Sequence, residues 1–479
     1  MTRLARCLCT GAPWLLFGCA VGPDHEAPRP ALPGAWSTLE GSADDRSSVA
    51  TSRTADLAEW WRTFEDPVLN DLCERALGAN LELALAGARV REARGLRSEA
   101  FGGLLPDVAT RGSYENVRFS ENGAFPFPAE TFPLYKAGFD ASWEIDVFGG
   151  QRRELEAAEA EIEASVEGLR DVRVSLLAEV ARSYVELRGS QARIAIARRN
   201  LEAQTNTLEL TRARLDAGQT TDLDVARAEA QVSSTSSVIP TLEIQARQAI
   251  HALAVLLGRE PGAVAAELSV EAPIPVSPSE IPAGLPTDLL RRRPDIRRAE
   301  RRLAAATARI GVAAADLYPR LFLNGTYGFE SVSASNFLTS GSQLWSVGPT
   351  VRWALFQGGR IRARIEVQNA QEEQAAILFE QTLLDALRDV EDAIVAHSRE
   401  QARRTMLAQA VASQRRAVSL ASQRYAQGLV DFLSVLEAQR VLYAADDALM
   451  QSEQAIATNT IALYKALGGG WMEDPESRE

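Results

Sequence analysis

The chain of 479 residues has no run of 18 or more apolar residues, which removes the membrane-spanning helix as a route across a bilayer. Cysteine is scarce: of four in all, Cys7, Cys9 and Cys19 crowd the N-terminus and Cys73 stands alone. Neither a disulfide framework nor a metal-ligand spacing follows. His25, His251 and His397 are the three histidines, far apart and without neighbouring Cys or acidic ligand patterns, so they read as solvated or packing residues. An excess of positive charge is missing too. Lys and Arg total 51 against 64 Asp and Glu, a formal charge of -13, which leaves no global attraction for nucleic acid. No phosphate loop and no paired nucleophile and base emerge. The glycine pairs at 149 and 150 and at 358 and 359 fit strand-to-helix turns better than a nucleotide site.

What is present is written twice. Leu105, Pro106, Gly112 and Tyr114 recur 213 residues later as Tyr318, Pro319, Gly325 and Tyr327. Arg214, Gly218, Leu223, Val225 and Ala228 recur 210 residues later as Arg424, Gly428, Leu433, Val435 and Ala438. Chance likeness between two Ala/Arg/Glu-rich helices explains neither the shared Pro, Gly and Tyr nor the two near-equal offsets. An internal duplication precedes any drawing of domains, because each copy need not bury its own apolar face.

Each copy holds a pair of alternating stretches. Tyr135, Ala137, Phe139, Ala141, Trp143, Ile145 and Val147 alternate with Lys136, Gly138, Asp140, Ser142, Glu144 and Asp146, one face apolar and aromatic, the other polar and mainly acidic. Its partner runs around 108 to 119. In the second copy the pair spans about 321 to 330 and 345 to 355. Both pairs predict β-hairpins. Strands of roughly 10 to 14 residues are long enough to cross a bilayer at a barrel's tilt. Four strands cannot close a barrel by themselves, and open edges cannot face lipid, so several chains must pool their strands.

Long helices make up the rest. Leu155, Ile162, Leu169 and Leu176 repeat every seven residues, and after a four-residue step Val180, Leu187, Ile194, Leu201, Leu208 and Leu215 resume the spacing. That is a coiled-coil seam with one stutter, on the order of 90 Å long at 1.5 Å per residue. A return helix runs from about Asp222 through Leu257, and the regions from about Gly359 to Gln427 and Asp431 to Leu467 repeat the arrangement. The turns carry a glycine stop and a capping start, at Gly218 before Asp222 and at Gly428 before Asp431. They are expected together at one end, with the hairpin loops at the other. Residues from about 66 to 102 form a further helical region with Leu69, Leu72, Leu77, Leu81, Leu85 and Val90 on its apolar side. Arg153 and Glu154 read as solvation of the helix surface.

Arg3 and Arg6, the apolar stretch Leu8 to Phe17 and the lipobox-like ending Leu16, Phe17, Gly18, Cys19 read as an export signal whose cleavage leaves Cys19 to carry lipid. Phe17 is bulkier than the small residue usual there, and Pro13 interrupts the segment. Several acyl chains on Cys19 would hold the N-terminus at a membrane.

Cys19 with Val21, Gly22, Pro23 and Asp24, then Trp60, Trp61, Phe64, Asp66, Pro67 and Leu69, Asn80, and the run Leu289, Arg292, Arg293, Pro294, Asp295 together carry a family likeness. Over nearly the whole mature chain the sequence closely resembles the outer-membrane efflux lipoproteins of Gram-negative bacteria, the NodT-type branch of the TolC-like outer membrane factors. The resemblance implies a mixed α/β membrane protein. Three copies of four strands would make a twelve-stranded outer-membrane barrel, continued by a coiled-coil helical tunnel in the periplasm. The expected layout is a signal peptide at 1–18 and a lipidated tether at 19–65. A first repeat follows at 66–285, with a hairpin at about 108–148 and a helical hairpin at about 150–258. The second repeat is expected at 286–468, with a hairpin at about 320–356 and a helical hairpin at about 359–467, before a tail at 469–479.

The resemblance also implies partners and sites. The protein would be a homotrimer, lipid-anchored at the outer membrane, that joins a periplasmic adaptor and an inner-membrane pump of the resistance-nodulation-division type. Its substrate would be moved, not converted, without cofactor or metal. An exit duct for ATP-driven type I protein secretion is the alternative use of the same fold. The family's gate positions match Glu437 and, for a second acidic position of some members, Ser434; Asp431 precedes them by one turn. Gly218, Gly428, Arg214, Arg424, Gln219 and Gln427 would lie in the adaptor-facing turns. Asp140, Glu144 and Asp146 would face the barrel lumen.

Overall fold

The computed structural model describes residues 20–38, 49–50, 57–120, 122, 130–278 and 281–472. The export signal, Cys19 and the end of the C-terminal tail lie outside the described residues. The main elements in chain order are α1 (Pro67–Ala79), α2 (Leu81–Gly102), β1 (Asp107–Arg118), β2 (Thr131–Ile145), α3 (Gly150–Asp216) and α4 (Asp222–Leu256). The second half continues with α5 (Pro294–Ala315), β3 (Arg320–Ser331), β4 (Gln343–Arg352), α6 (Arg360–Ala426) and α7 (Phe432–Ala466). Helices α3 and α6 are both 67 residues long, and α4 and α7 both 35, so the duplication is preserved to the residue. No described helix is long and apolar enough to cross a membrane.

Two compact units form, each built from both repeats. One comprises Arg89–Val166 and Arg298–Glu380 with the described residues up to Arg29. Its centre is an antiparallel sheet of order β1-β2-β3-β4. The two hairpins join through their first repeat's second strand and second repeat's first strand, with Phe139 opposite Tyr327 and Lys136 opposite Glu330. Because side chains alternate along a strand, one face collects Tyr114, Phe139, Tyr327, Trp345, Val347 and Val351. All six remain exposed, Trp345 at 73%. β1 and β4 leave open edges in the single chain. The repeat also shows in a pair of anchors. Trp143 Nε1 donates to the Leu104 carbonyl at 2.9 Å, and Trp353 Nε1 to the Leu317 carbonyl at 3.1 Å.

The other unit comprises Pro30–Ala88, Glu167–Arg297 and Gln381–Glu479. Its core holds Trp60, Trp61, Phe64, Leu69, Leu72 and Cys73, all 2% exposed or less, each large apolar side chain contributing about 1.5–3 kcal/mol on burial. Trp60 stacks on Tyr464 with ring centroids 5.2 Å apart. The last stretch of the expected tether is therefore core: Trp60–Phe64 forms a 3-10 turn, and upstream Trp36 Nε1 donates to the Gly284 carbonyl. Asp66 caps α1 by accepting from the amides of Val68 and Leu69, with Pro67 at the first helical position where its missing N–H costs nothing. Burial pushes the Cys73 thiol well above its usual range, which leaves it unreactive.

Three expectations need correction. The helical region 66 to 102 is two helices broken at Asn80, whose Oδ1 accepts from the Leu83 amide and whose Nδ2 donates to the Leu256 carbonyl. The break turns α2, so Leu81 and Leu85 are exposed rather than on a shared apolar side. The α3 seam is buried at Leu176, Val180, Leu187, Ile194 and Leu208, but the other seam positions are half-covered and Ala197, Gln204 and Thr211 are the buried heptad toward the turn. Small and polar residues there allow closer helix approach than leucine would. Arg153 does not solvate the helix: its side chain is 5% exposed.

Candidate functional site

The two helical turns are built alike. After α3 the Gly218 amide bonds the Leu215 carbonyl and the Gln219 amide the Arg214 carbonyl, both at 2.8 Å; after α6 the Gly428 amide bonds Tyr425 and the Leu429 amide Arg424, both at 2.9 Å. Each is a Schellman stop requiring a left-handed residue, and φ is +68° at Gly218 and +73° at Gly428. The next helices start differently. The Asp224 carboxylate accepts from the Thr220 and Thr221 hydroxyls at 2.7 and 3.1 Å. Partial burial raises its pKa, but those hydrogen bonds outweigh it and the net shift is downward. Asp431 caps α7 by accepting from the hydroxyl and amide of Ser434, which holds its carboxyl below the usual range.

The structure brings both turns together. Leu208, Val225 and Ala228 from the first hairpin share an apolar cluster with Tyr425, Phe432 and Val435 from the second. Arg214 Nη1 donates to the Tyr425 carbonyl at 2.7 Å while its guanidinium lies 4.4 Å from the centre of the Tyr425 ring, a cation–π contact. Arg424, Gln219, Gln427 and both glycines are exposed. Glu437, one turn into α7, is exposed and its two oxygens accept from Arg440 at 2.9 and 3.0 Å. Its charge is thus balanced within its own helix.

In the sheet unit, Asp140 and Glu144 share the polar face of β2, but that face is charge-balanced by its neighbours. Lys136 meets Glu330 at 2.8 Å, Arg111 lies 3.9 Å from Asp140, and Arg320 lies 3.6 Å from Glu144. Ser142, Asn324 and Thr350 form a hydrogen-bonded rung across three strands. Asp146 falls just past β2, where it accepts from the Arg152 amide and side chain and serves the strand-to-helix turn. None of these residues forms a group able to hold a metal ion, and no such group exists among the described residues.

At the same turn the N-terminal segment docks. The Val21 amide donates to the Phe148 carbonyl at 3.0 Å. Arg153 donates to the Val21 carbonyl at 3.2 Å and to Asp24 at 2.6 Å. Gly149, at φ +80°, is passed so closely by Ala20 that an added Cβ would lie 2.6 Å from its Cα.

A family profile described as outer membrane efflux protein matches residues 72–259 and 285–469, one block per repeat. The chain belongs to that family. This outer membrane efflux protein is 34% identical to nodulation protein T of Rhizobium leguminosarum bv. viciae over 459 residues, covering 96% of this chain and 92% of the relative. It is 30% identical to the solvent efflux pump outer membrane protein SrpC of Pseudomonas putida, covering 95% and 96%. Among solved structures, the outer-membrane channel OprN superposes with a TM-score of 0.89 at 38% identity, covering 95% of this chain and all of that one. Family and fold are those of outer-membrane channels.

Sequence reasoning placed the turns of this efflux protein but missed the residues that tie its two hairpins together: Tyr425, the Arg193–Asp447 ion pair at 2.6 Å, and Gln439, which donates to Thr207 at 2.9 Å. The signal was available. At the 210-residue offset Tyr425 stands where the first repeat has Leu215, and a departure from an otherwise matched repeat marks a position with a task of its own.

Proposed function

We propose that the chain is the outer-membrane channel of a tripartite efflux system, a homotrimer whose sheets pool four strands each into a twelve-stranded barrel. The observation that carries this is the sheet itself. It is open at both edges, its apolar face is exposed, and its opposite face is polar, with Asp140, Glu144 and Glu330 each beside a base. Unpaired edge amides and carbonyls are too costly to face lipid, so pairing with further copies is the arrangement that satisfies them. The polar face then lines a water-filled lumen with Asp140 and Glu144. Their pairing with Arg111 and Arg320 makes it a weakly selective passage, suited to varied small molecules.

Helices α3, α4, α6 and α7 continue the passage as a periplasmic tunnel; α3 alone would be about 100 Å long at 1.5 Å per residue. Its turns around Gly218 and Gly428 meet a periplasmic adaptor that connects to an inner-membrane pump of the resistance-nodulation-division type, which supplies the energy. Glu437 forms the constriction, with Asp431 and Ser434 shaping the start of α7 behind it. Three Glu437 carboxylates on an axis attract cations, and Arg440 moderates that attraction. Cys19 carries lipid. The docking of Ala20 and Val21 at Phe148 and Gly149, where strand becomes helix, supports an anchor at the membrane's inner boundary.

Planar-bilayer recording of the purified protein tests this reading. Discrete conductance from intact trimers, altered in size or selectivity by Glu437→Ala, is the expected result. Folded trimers that never conduct would overturn it.

A further inference from the structure

The strand-to-helix turns of the two repeats align at the 210-residue offset. Trp143 matches Trp353, and Gly149 matches Gly359, with φ of +80° and +83°. The Arg153 and Ala363 amides bond the carbonyls of those two glycines at 2.9 and 3.0 Å. The backbone is the same, and the side chains are not. Glu144, Asp146 and Glu154 of the first turn become Ala354, Phe356 and Arg364, and Gly150 becomes Arg360. Across 143–154 those three acids stand against Arg152 and Arg153, one net negative charge; across 353–364 Arg360, Arg362 and Arg364 face no acid, three positive charges.

The exchange strips the second turn of its partners. Asp146 holds Arg152, accepting from its amide at 2.9 Å and from its Nε at 3.3 Å. The counterpart of Arg152 is Arg362, which is exposed and has no partner among the described residues, because Phe356 stands where the carboxylate would. Arg360 donates to Oε1 of Gln357 at 2.8 Å, a neutral acceptor that leaves its charge uncompensated. Phe356 is 90% exposed and Leu355 77%. Cover differs as well. Ala20 presses on Gly149, whereas no described atom lies within 4 Å of a Cβ placed on Gly358 or Gly359.

We propose that this second turn binds an anionic phospholipid, with Leu355 and Phe356 against its acyl chains and Arg360 and Arg362 on its headgroup phosphate. The inference rests on the barrel reading, under which the exposed face of Trp345, Val347 and Val351 meets lipid; Trp353 and Leu355 continue that face to the end of the sheet. Apolar surface gives way to arginine within a few residues there, as it does where a protein crosses from acyl chains to headgroups. Guanidinium groups suit phosphate because they present parallel N–H donors to two oxygens. Uncompensated positive charge selects headgroups that carry no amine of their own, so phosphatidylglycerol is favoured over phosphatidylcholine. The two repeats then meet the membrane by different means. The first turn seats Ala20 and Val21 of the chain itself, and the second seats a lipid in their place.

Photolabelling and native mass spectrometry of the purified full-length protein test this. A phosphatidylglycerol carrying a diazirine near its headgroup should label 353–364 in the unaltered protein and leave 143–154 unlabelled. In native mass spectra the trimer should hold phosphatidylglycerol about tenfold more tightly than phosphatidylcholine of the same chains. Arg362→Gln should weaken phosphatidylglycerol about fivefold and leave phosphatidylcholine unchanged. Phe356→Ala should weaken both lipids alike, and Arg152→Gln neither. Equal labelling of the two turns, or undiminished phosphatidylglycerol binding in Arg362→Gln, overturns the inference and leaves the channel reading standing. Loss of trimers in Arg362→Gln alone assigns the patch to a neighbouring copy and overturns it as well. Absence of trimers in the unaltered protein overturns both readings.

Discussion

Both carboxylate oxygens of Glu437 accept from Nη2 of Arg440, three residues along the same helix, at 2.9 and 3.0 Å. The pair is exposed, so it contributes little to stability; its effect is on the field a passing ion meets. Arg440→Ala releases the carboxylate and should raise cation over anion permeability, whereas Glu437→Gln should lower it. Reversal potentials under a salt gradient measure both. Equal selectivity in all three proteins would remove Glu437 from the constriction.

Arg153 fixes the segment that follows Cys19. Losing charge-assisted bonds of this kind costs about 2 kcal/mol, which corresponds to roughly thirtyfold easier local opening. In Arg153→Ala the Val21 carbonyl and Asp24 lose their guanidinium donor, and the Val21 amide, which donates to the Phe148 carbonyl, should exchange with deuterium faster by about that factor. The thermal midpoint of the helical unit should stay in place, because Arg153 lies outside it. Unchanged exchange at Val21 would mean that the close approach of Ala20 to Gly149 suffices to hold the segment.

Asp224 and Asp431 both have carboxyl pKa values held below their ordinary range by hydroxyl and amide donors. A depressed acid stabilises the fold above its unfolded pKa, about 3.9, and that contribution is lost as pH falls through the lower folded value. The first turns of α4 and α7 should therefore exchange normally at pH 5 to 7 and loosen below about pH 4. Asp431→Asn should flatten this dependence at α7 alone. Loosening of α7 already at pH 6 would point to a different titrating group.

His397 is fully buried between α6 and α7. Gln401 lies against Nε2 at 2.8 Å and the Thr460 hydroxyl lies 3.3 Å from Nδ1. Because that hydroxyl donates to the Ile456 carbonyl, it receives the Nδ1 proton, and the ring is neutral. Burial lowers its pKa. Stability is then greatest above the unfolded value of about 6.5 and falls as the medium acidifies toward the folded value. Melting followed from pH 7.5 to 5 should show a decline that His397→Gln lacks, and parallel declines in the two proteins would contradict the assignment.

Much of the architecture was legible because it is periodic and repeated. Tyr135 to Val147 alternates without a break, Gly218 stops a heptad run and Gly428 recurs at the 210-residue offset, so strands and helix ends announce themselves locally. Arg153 was misread because its neighbours are a helix's polar residues, and only tertiary contact with Val21 and Asp24 buries it. The polar face of β2 looked acidic for a similar reason: Arg111, Arg320 and Glu330, which balance or occupy its charges, sit on other strands, and strand register cannot be read from one strand. Leu81 and Leu85 followed an apolar pattern that continued across Asn80, where the capping side chain ends one helix and begins the next. The ties Arg193–Asp447 and Thr207–Gln439 join residues more than two hundred positions apart and carry no local signature.

Closure of the sheet into a barrel is tested most directly at its edges. Hydrogen exchange of the detergent-purified native protein, resolved over Asp107–Arg118 and Gln343–Arg352, reads the amides that have no partner in a single chain. If copies pool their strands, every amide in β1 and β4 should be protected to the degree seen in β2 and β3. Alternate amides of the two edge strands exchanging freely, in protein whose inner strands are protected, would contradict the barrel and with it the channel.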